Sequence, residues 1–198
     1  MGRASKWNVP QRGILLNSRV NMKNVFIFHG TYGAPDENWF PWLKVEMEKL
    51  GYEVIIPVFP TPEGQSLEAW QNVFVRFRDQ INQESIFVGH SLGVAFMLEV
   101  LEELDYPIKA VYSVAGFVST LGNPDFDQLN STFVNRDFDW DKIKHHGKQF
   151  FVLQGENDPY VSLFHANEMA KELGVEVNLI EVRGILTKKL AILLFMNY

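Results

Sequence analysis

The sequence predicts a three-layer α/β fold, with a mainly parallel sheet of about six strands and helices on both faces. Three observations lead there. Short apolar runs recur along the 198 residues. Most of them are continuous rather than alternating, as strands buried on both faces of a parallel sheet are. Stretches with helical spacing lie between them, and β and α elements in alternation imply parallel strands joined by right-handed crossovers.

In chain order the strand candidates are Val25–Phe28 (VFIF), Glu53–Pro57 (EVIIP), Ser85–Gly89 (SIFVG), Ala110–Gly116 (AVYSVAG), Gln149–Gly155 (QFFVLQG) and Val175–Val182 (VEVNLIEV). The first helix candidate, Trp39–Leu50, is stopped by Gly51, which can take the left-handed conformation of a helix end. Ser66–Asn82 follows, with Leu67, Trp70, Val73, Phe74 and Phe77 near helical spacing and Ser66 as N-cap. Ser91–Leu104 and Val161–Leu173 complete the helices, the latter stopped by Gly174. Val118–Lys148 is the least regular section and reads as a small cap or a long connection.

A chain of this length with 46% hydrophobic residues buries a sizeable core, and one domain is expected over residues 22–184. A net charge of −6 and the lack of a basic cluster argue against nucleic acid as a partner. With no cysteine there is no disulfide framework, and a cytoplasmic setting is expected. The apolar run GILL is far too short for a signal-peptide core, and LAILLF falls short of the roughly 20 residues a membrane span takes. Metal-ligand spacings and phosphate-binding glycine loops are also missing, so neither metal nor cofactor is expected. Residues 1–21 lack periodicity and read either as a disordered extension or as sequence upstream of a true start at Met22.

The chemistry centres on Gly89-His90-Ser91-Leu92-Gly93. Gly-x-Ser-x-Gly alone is a weak signal, but here it ends a predicted strand and opens a helix, the setting a nucleophile elbow requires. Glycines 89 and 93 suit a strained, crowded turn, and the helix N-terminus favours a developing oxyanion at Ser91. A serine that merely caps the helix is the plainer reading. His90 faces away from its neighbour and is read as structural. His29-Gly30 follows the first strand, where a second oxyanion-hole amide is supplied in such folds, so the N–H groups of Thr31 and Leu92 are the candidate donors and His29 a loop support. Asp158, in the turn after the fifth strand, is the candidate acid, with Glu156 as runner-up and helix capping as the alternative role.

The stretches HGTYGAPDENWFPWL, GHSLG and GENDPYVS resemble the small serine hydrolases of the YdeN and retinoblastoma-binding protein nine type, from about Met22 to Val182. The resemblance implies an α/β-hydrolase fold with little or no lid and a Ser-His-Asp triad acting on esters or related acyl compounds. The retinoblastoma-binding motif contains a cysteine and this chain has none, so that partner is not carried over and a protein partner is left open. The resemblance also places the base in a Gly-His-Phe segment after the last strand, where this chain reads Gly184-Ile185-Leu186. His145, His146 and His165 are the other candidates, and each reads as a surface residue.

If Arg183-Gly184-Ile185-Leu186 is encoded AGG GGC ATT TTA, one restored G gives Arg-Gly-His-Phe. The atypical tail, residues 185–198, is therefore expected to be frameshifted. A gene whose alternative frame lacks Gly-His at this point refutes that. Taken literally, the chain is either a serine hydrolase with its base missing from the position of Ile185 or an impaired relative that binds small molecules or proteins without turnover.

Overall fold

The computed structural model describes residues 22–180. The expectations for residues 1–21 and 185–198, including the base at Ile185, lie outside the described residues. Among the described residues six strands form one sheet in the order β2-β1-β3-β4-β5-β6. They are Asn24–Phe28 (β1), Glu53–Ile55 (β2), Ile86–His90 (β3), Ala110–Val114 (β4), Phe150–Gly155 (β5) and Val177–Ile180 (β6). Every neighbouring pair is parallel.

Six α-helices connect them: Phe40–Lys49 (α1), Leu67–Phe74 (α2), Leu92–Glu102 (α3), Pro124–Val134 (α4), Trp140–His146 (α5) and Leu163–Leu173 (α6). The apolar side chains of each strand divide between two cores. Val25, Ile27, Val88 and Tyr112 pack with Phe40, Leu43 and Met47 of α1. Phe26, Phe28, Phe87 and Val111 pack on the opposite face with α2, α3, α5 and α6. This is the α/β-hydrolase architecture expected. At ~25 cal/mol per Å², each fully buried Phe on these faces is worth about 2–3 kcal/mol of burial. Helix α3 is the centre of the second layer, buried from Leu92 to Leu101 and apolar along that stretch except for Glu99, which accepts from Gln71 Nε2 at 2.9 Å.

Local signals set the helix ends. Ser66 Oγ accepts from the Ala69 N–H at 3.1 Å, and Gly51 and Gly174 adopt φ +80° and +73° at the ends of α1 and α6. Three expectations need correction. The helix expected over Ser66–Asn82 is α only to Phe74 and tightens into a 3₁₀ helix over Val75–Gln80, as helix C-termini often do. Helix α6 begins at Leu163 rather than Val161, because Asp158 holds the preceding residues in a turn. Val118–Lys148 is not irregular but folds into α4 and α5. Asn123 caps α4 ahead of Pro124, and Asp139 caps α5.

The strand order reverses between β1 and β3, since β2 lies on one side of β1 and all later strands on the other. A crevice opens at the carboxyl ends of the strands flanking such a switch point. Register aligns Phe28 with Gly89, so the loops that follow β1 and β3 emerge side by side.

Candidate active site

Ser91 occupies the single residue between β3 and α3 with φ 54° and ψ −127°, a backbone conformation costly for a residue with a side chain. The surrounding structure holds it there. The Ser91 N–H donates to the Val114 carbonyl at 3.0 Å, and the Ser91 carbonyl accepts from the Val94 N–H at 3.1 Å. The flanking glycines are required by contact. A Cβ on Gly89 would lie 2.9 Å from Val94 Cα, and one on Gly93 would lie 2.2 Å from the Phe28 carbonyl oxygen. Across the crevice, a Cβ on Gly30 would lie 2.7 Å from Ser91 Cβ. The loop after β1 thus comes into van der Waals range of the serine only because it carries glycine at that point.

His29 ties this loop down. Its ring is fully buried, and the Phe59 N–H donates to Nε2 at 3.1 Å. Nε2 must therefore be the unprotonated nitrogen, which leaves Nδ1–H to donate to the Gly30 carbonyl at 3.0 Å. Burial lowers the His29 pKa, keeping the ring in the neutral form this pair of bonds needs.

A cavity of about 310 Å³ opens over Ser91, lined among others by Gly30, Thr31, His90, Ala115, Phe117, Asn130, Asp158 and Tyr160. Asp158 Oδ1 accepts from the N–H groups of Tyr160 and Val161, each at 2.9 Å, which sets the turn between β5 and α6. Glu156 is exposed and is not among the lining residues, so of the two candidate acids only Asp158 reaches the cavity. Thr31 lines it, whereas the Leu92 side chain is fully buried and leaves only its main chain beside Ser91. Leu92 opens α3, and first-turn N–H groups lack acceptors within their own helix.

A model of the serine hydrolase family matches residues 25–189. The chain belongs to that family. The YdeN protein of Bacillus subtilis is 28% identical over 153 residues, 76% of this chain and 79% of YdeN. The serine hydrolase RBBP9 of Rattus norvegicus is 22% identical over 150 residues, 74% of this chain and 76% of its own. Among solved structures, the B. subtilis ydeN gene product superposes with a TM-score of 0.77 at 24% identity, covering 86% of this chain and 97% of that one. Est1E of Butyrivibrio proteoclasticus, solved with ferulic acid bound, gives 0.69 at 13% identity, covering 91% and 90%. Both share the fold.

In this family member His90 is the one further histidine that borders the cavity among the described residues, and it is engaged elsewhere. The His90 ring packs edge-on against Trp39 and Phe40. Burial lowers its pKa to about 4 against the attraction of Asp158, so it is neutral at pH 7. His145 is exposed, as expected. His146 and His165 are not surface residues, which corrects the expectation. His146 is 8% exposed with Nδ1 2.8 Å from the Leu101 carbonyl, and His165 is 5% exposed, in the first turn of α6, with Nδ1 3.2 Å from Ser119 Oγ. Each satisfies a neighbouring element across a packed contact. None of the three lines the cavity.

Sequence reasoning missed one wall of the site. Helix α4 supplies Phe126 and Asn130, and Ala115, at φ 47° after β4, supplies another edge. The Phe126 ring lies 6.1 Å from that of Tyr32 and 6.2 Å from that of Tyr160, centroid to centroid, giving the cavity an aromatic side. The signal for α4 was present in Asn123-Pro124-Asp125, a cap followed by proline and acid in a first turn. Among the described residues no group of three or more His, Asp or Glu is placed to hold a metal ion, and no helix is long and apolar enough to cross a membrane.

Proposed function

We propose that this family member is built for acyl transfer from a carboxylic ester, or a related acyl compound, to water. The observation that carries the reading is Ser91, a non-glycine residue held at φ 54° on the β3–α3 turn and opening into the same cavity as Asp158. Ser91 Oγ attacks the acyl carbon, its proton passes to a base, and the carbonyl oxygen becomes an oxyanion. The N–H groups of Thr31 and Leu92 receive that charge, helped by the N-terminus of α3. The base returns the proton to the leaving alcohol, and water then repeats the attack on the acyl-serine. Asp158 orients the base. The aromatic side formed by Tyr32, Phe126 and Tyr160 supports a substrate with an apolar body.

The base is the part this chain lacks. By resemblance it belongs at Ile185, and the positions of His145, His146 and His165 away from the cavity favour a second reading, a chain that binds acyl compounds with little turnover. One experiment separates the two. A fluorophosphonate probe and p-nitrophenyl butyrate are tested on the chain as it stands, on Ile185→His, and on Ser91→Ala as control. Restoring a positioned general base raises hydrolysis on the order of 10²-fold or more, with labelling confined to Ser91. If Ile185→His folds and neither labels at Ser91 nor gains hydrolysis, the acyl-transfer reading falls.

A further inference from the structure

The geometry points to Asn130 as a substrate-contacting donor that selects acyl groups bearing a second acceptor oxygen close to the scissile carbonyl. This rests on the reading of Ser91 as the nucleophile, and it adds a substrate class to it.

A chain of hydrogen bonds fixes which way the Asn130 amide faces. The Leu129 carbonyl can only accept, so the group 3.0 Å from it must be the NH₂ of Gln65. Gln65 Oε1 then faces Thr61 Oγ1, which donates to it at 2.6 Å and accepts from the Tyr32 N–H at 2.8 Å. The remaining N–H of Gln65 Nε2 donates to Asn130 Oδ1 at 3.0 Å, and Thr31 Oγ1 donates to the same oxygen at 2.8 Å. Both bonds end on the oxygen of Asn130, so its NH₂ lies on the other branch of the amide.

That NH₂ has no acceptor among the described residues, although Asn130 is only 1% exposed. A buried amide donor left unpaired costs folding free energy, and native proteins keep few of them. Asn130 lines the cavity over Ser91. A ligand acceptor there recovers the cost.

The position narrows the ligand. Asn130 is bonded to the side chain of Thr31, whose N–H is already assigned to the oxyanion. With Thr31 and Leu92 serving the carbonyl oxygen, the amide is left for a second acceptor within an atom or two of it. α-Hydroxy, α-alkoxy and α-keto acyl groups offer one. A hydrocarbon acyl chain leaves the donor unpaired, and a site built around a donor rejects such an analogue strongly.

The test needs no turnover. Methoxyacetamide and butanamide differ only by an oxygen in place of a methylene, and each is titrated into the ¹⁵N-labelled full chain at pH 8. The expected result is roughly tenfold tighter binding of methoxyacetamide, with the Asn130 side-chain amide signals moving as it binds. Asn130→Asp keeps the accepting oxygen and removes the donor, and is expected to bring the two affinities together. Equal affinities in the wild-type chain overturn the inference, as do Asn130 signals unmoved at saturation, so it stands or falls without the variant. Fluorophosphonate labelling of Ser91 is read in parallel on the Ile185→His chain. Labelling without the oxygen preference sinks Asn130 alone, and the preference without labelling leaves Asn130 a ligand donor in a chain that is not a hydrolase.

Discussion

Replacing Gly93 by alanine sets two effects of opposite sign against each other. Gly93 is the second residue of α3, and helix propensity alone favours alanine there by about 1 kcal/mol. The added Cβ, however, would lie 2.2 Å from the Phe28 carbonyl oxygen and 2.5 Å from that of His29. An ordinary C···O approach is about 3.3 Å, so the overlap is close to an ångström on two atoms. Neither atom is at the end of a flexible side chain. Both belong to the main chain at the end of β1, which is paired to β2 on one side and β3 on the other. Helix α3 must therefore retreat from the sheet, carrying its buried face with it. Overpacking costs about 1–3 kcal/mol where neighbours can yield. With rigid backbone on the receiving side the upper end applies, and a net loss of about 3 kcal/mol lowers Tm by about 6–12 °C in a chain of this size. Gly51→Ala is the control. It meets nothing within 4 Å but sits at φ +80°, so it carries only the conformational cost of about 1 kcal/mol. Urea and thermal unfolding of both variants decide the matter. If Gly93→Ala is no less stable than Gly51→Ala, the close approach of α3 to β1 is not what makes glycine necessary.

Two further predictions address charge and pH. Asp158→Asn keeps the oxygen that accepts from Tyr160 and Val161, so Tm should stay within about 2 °C, while fluorophosphonate labelling in the Ile185→His background drops on the order of 10³-fold. Undiminished labelling would remove Asp158 from the mechanism. His90 has a folded-state pKa of about 4 against the ordinary 6.5, so the unfolded chain binds the extra proton between those values. Its stabilising contribution is complete above pH 6.5 and is lost as pH falls toward 4, at no more than about 1.4 kcal/mol per pH unit. His90→Phe keeps a ring against Trp39 and Phe40 without the titration, and its urea midpoint should fall less steeply between pH 6.5 and 4, leaving the slope from His29 and His165, whose pKa values burial also lowers. Equal slopes refute the assignment.

The parts of this protein legible in the sequence are those that depend on near neighbours in the chain. Continuous apolar runs gave away β1, β3, β4 and β5 closely, because burial on both faces leaves no polar alternation. Ser66, Gly51 and Gly174 marked helix ends through backbone needs local to each turn. Gly89 to Gly93 announced the elbow for the same reason. Glu53–Pro57 was read too long, since β2 is an edge strand whose pairing stops at Ile55. The tight turn at Val75–Gln80 was missed because α and 3₁₀ helices carry nearly the same apolar pattern.

What the sequence alone determined is the alternation of elements and the placing of a serine on a glycine-flanked turn, both consequences of spacing along the chain. Tertiary structure decided the rest. The strand order puts the β1 and β3 loops side by side, so that Gly30 meets Ser91 from 61 positions away. Packing brought Asp158 and not Glu156 to the cavity, and drew His146 and His165 into contacts of their own. It also turned α4 toward the cavity, where Asn130 answers Thr31 across 99 residues of chain. Such pairings depend on which surfaces meet once the sheet is assembled, and no local spacing records that.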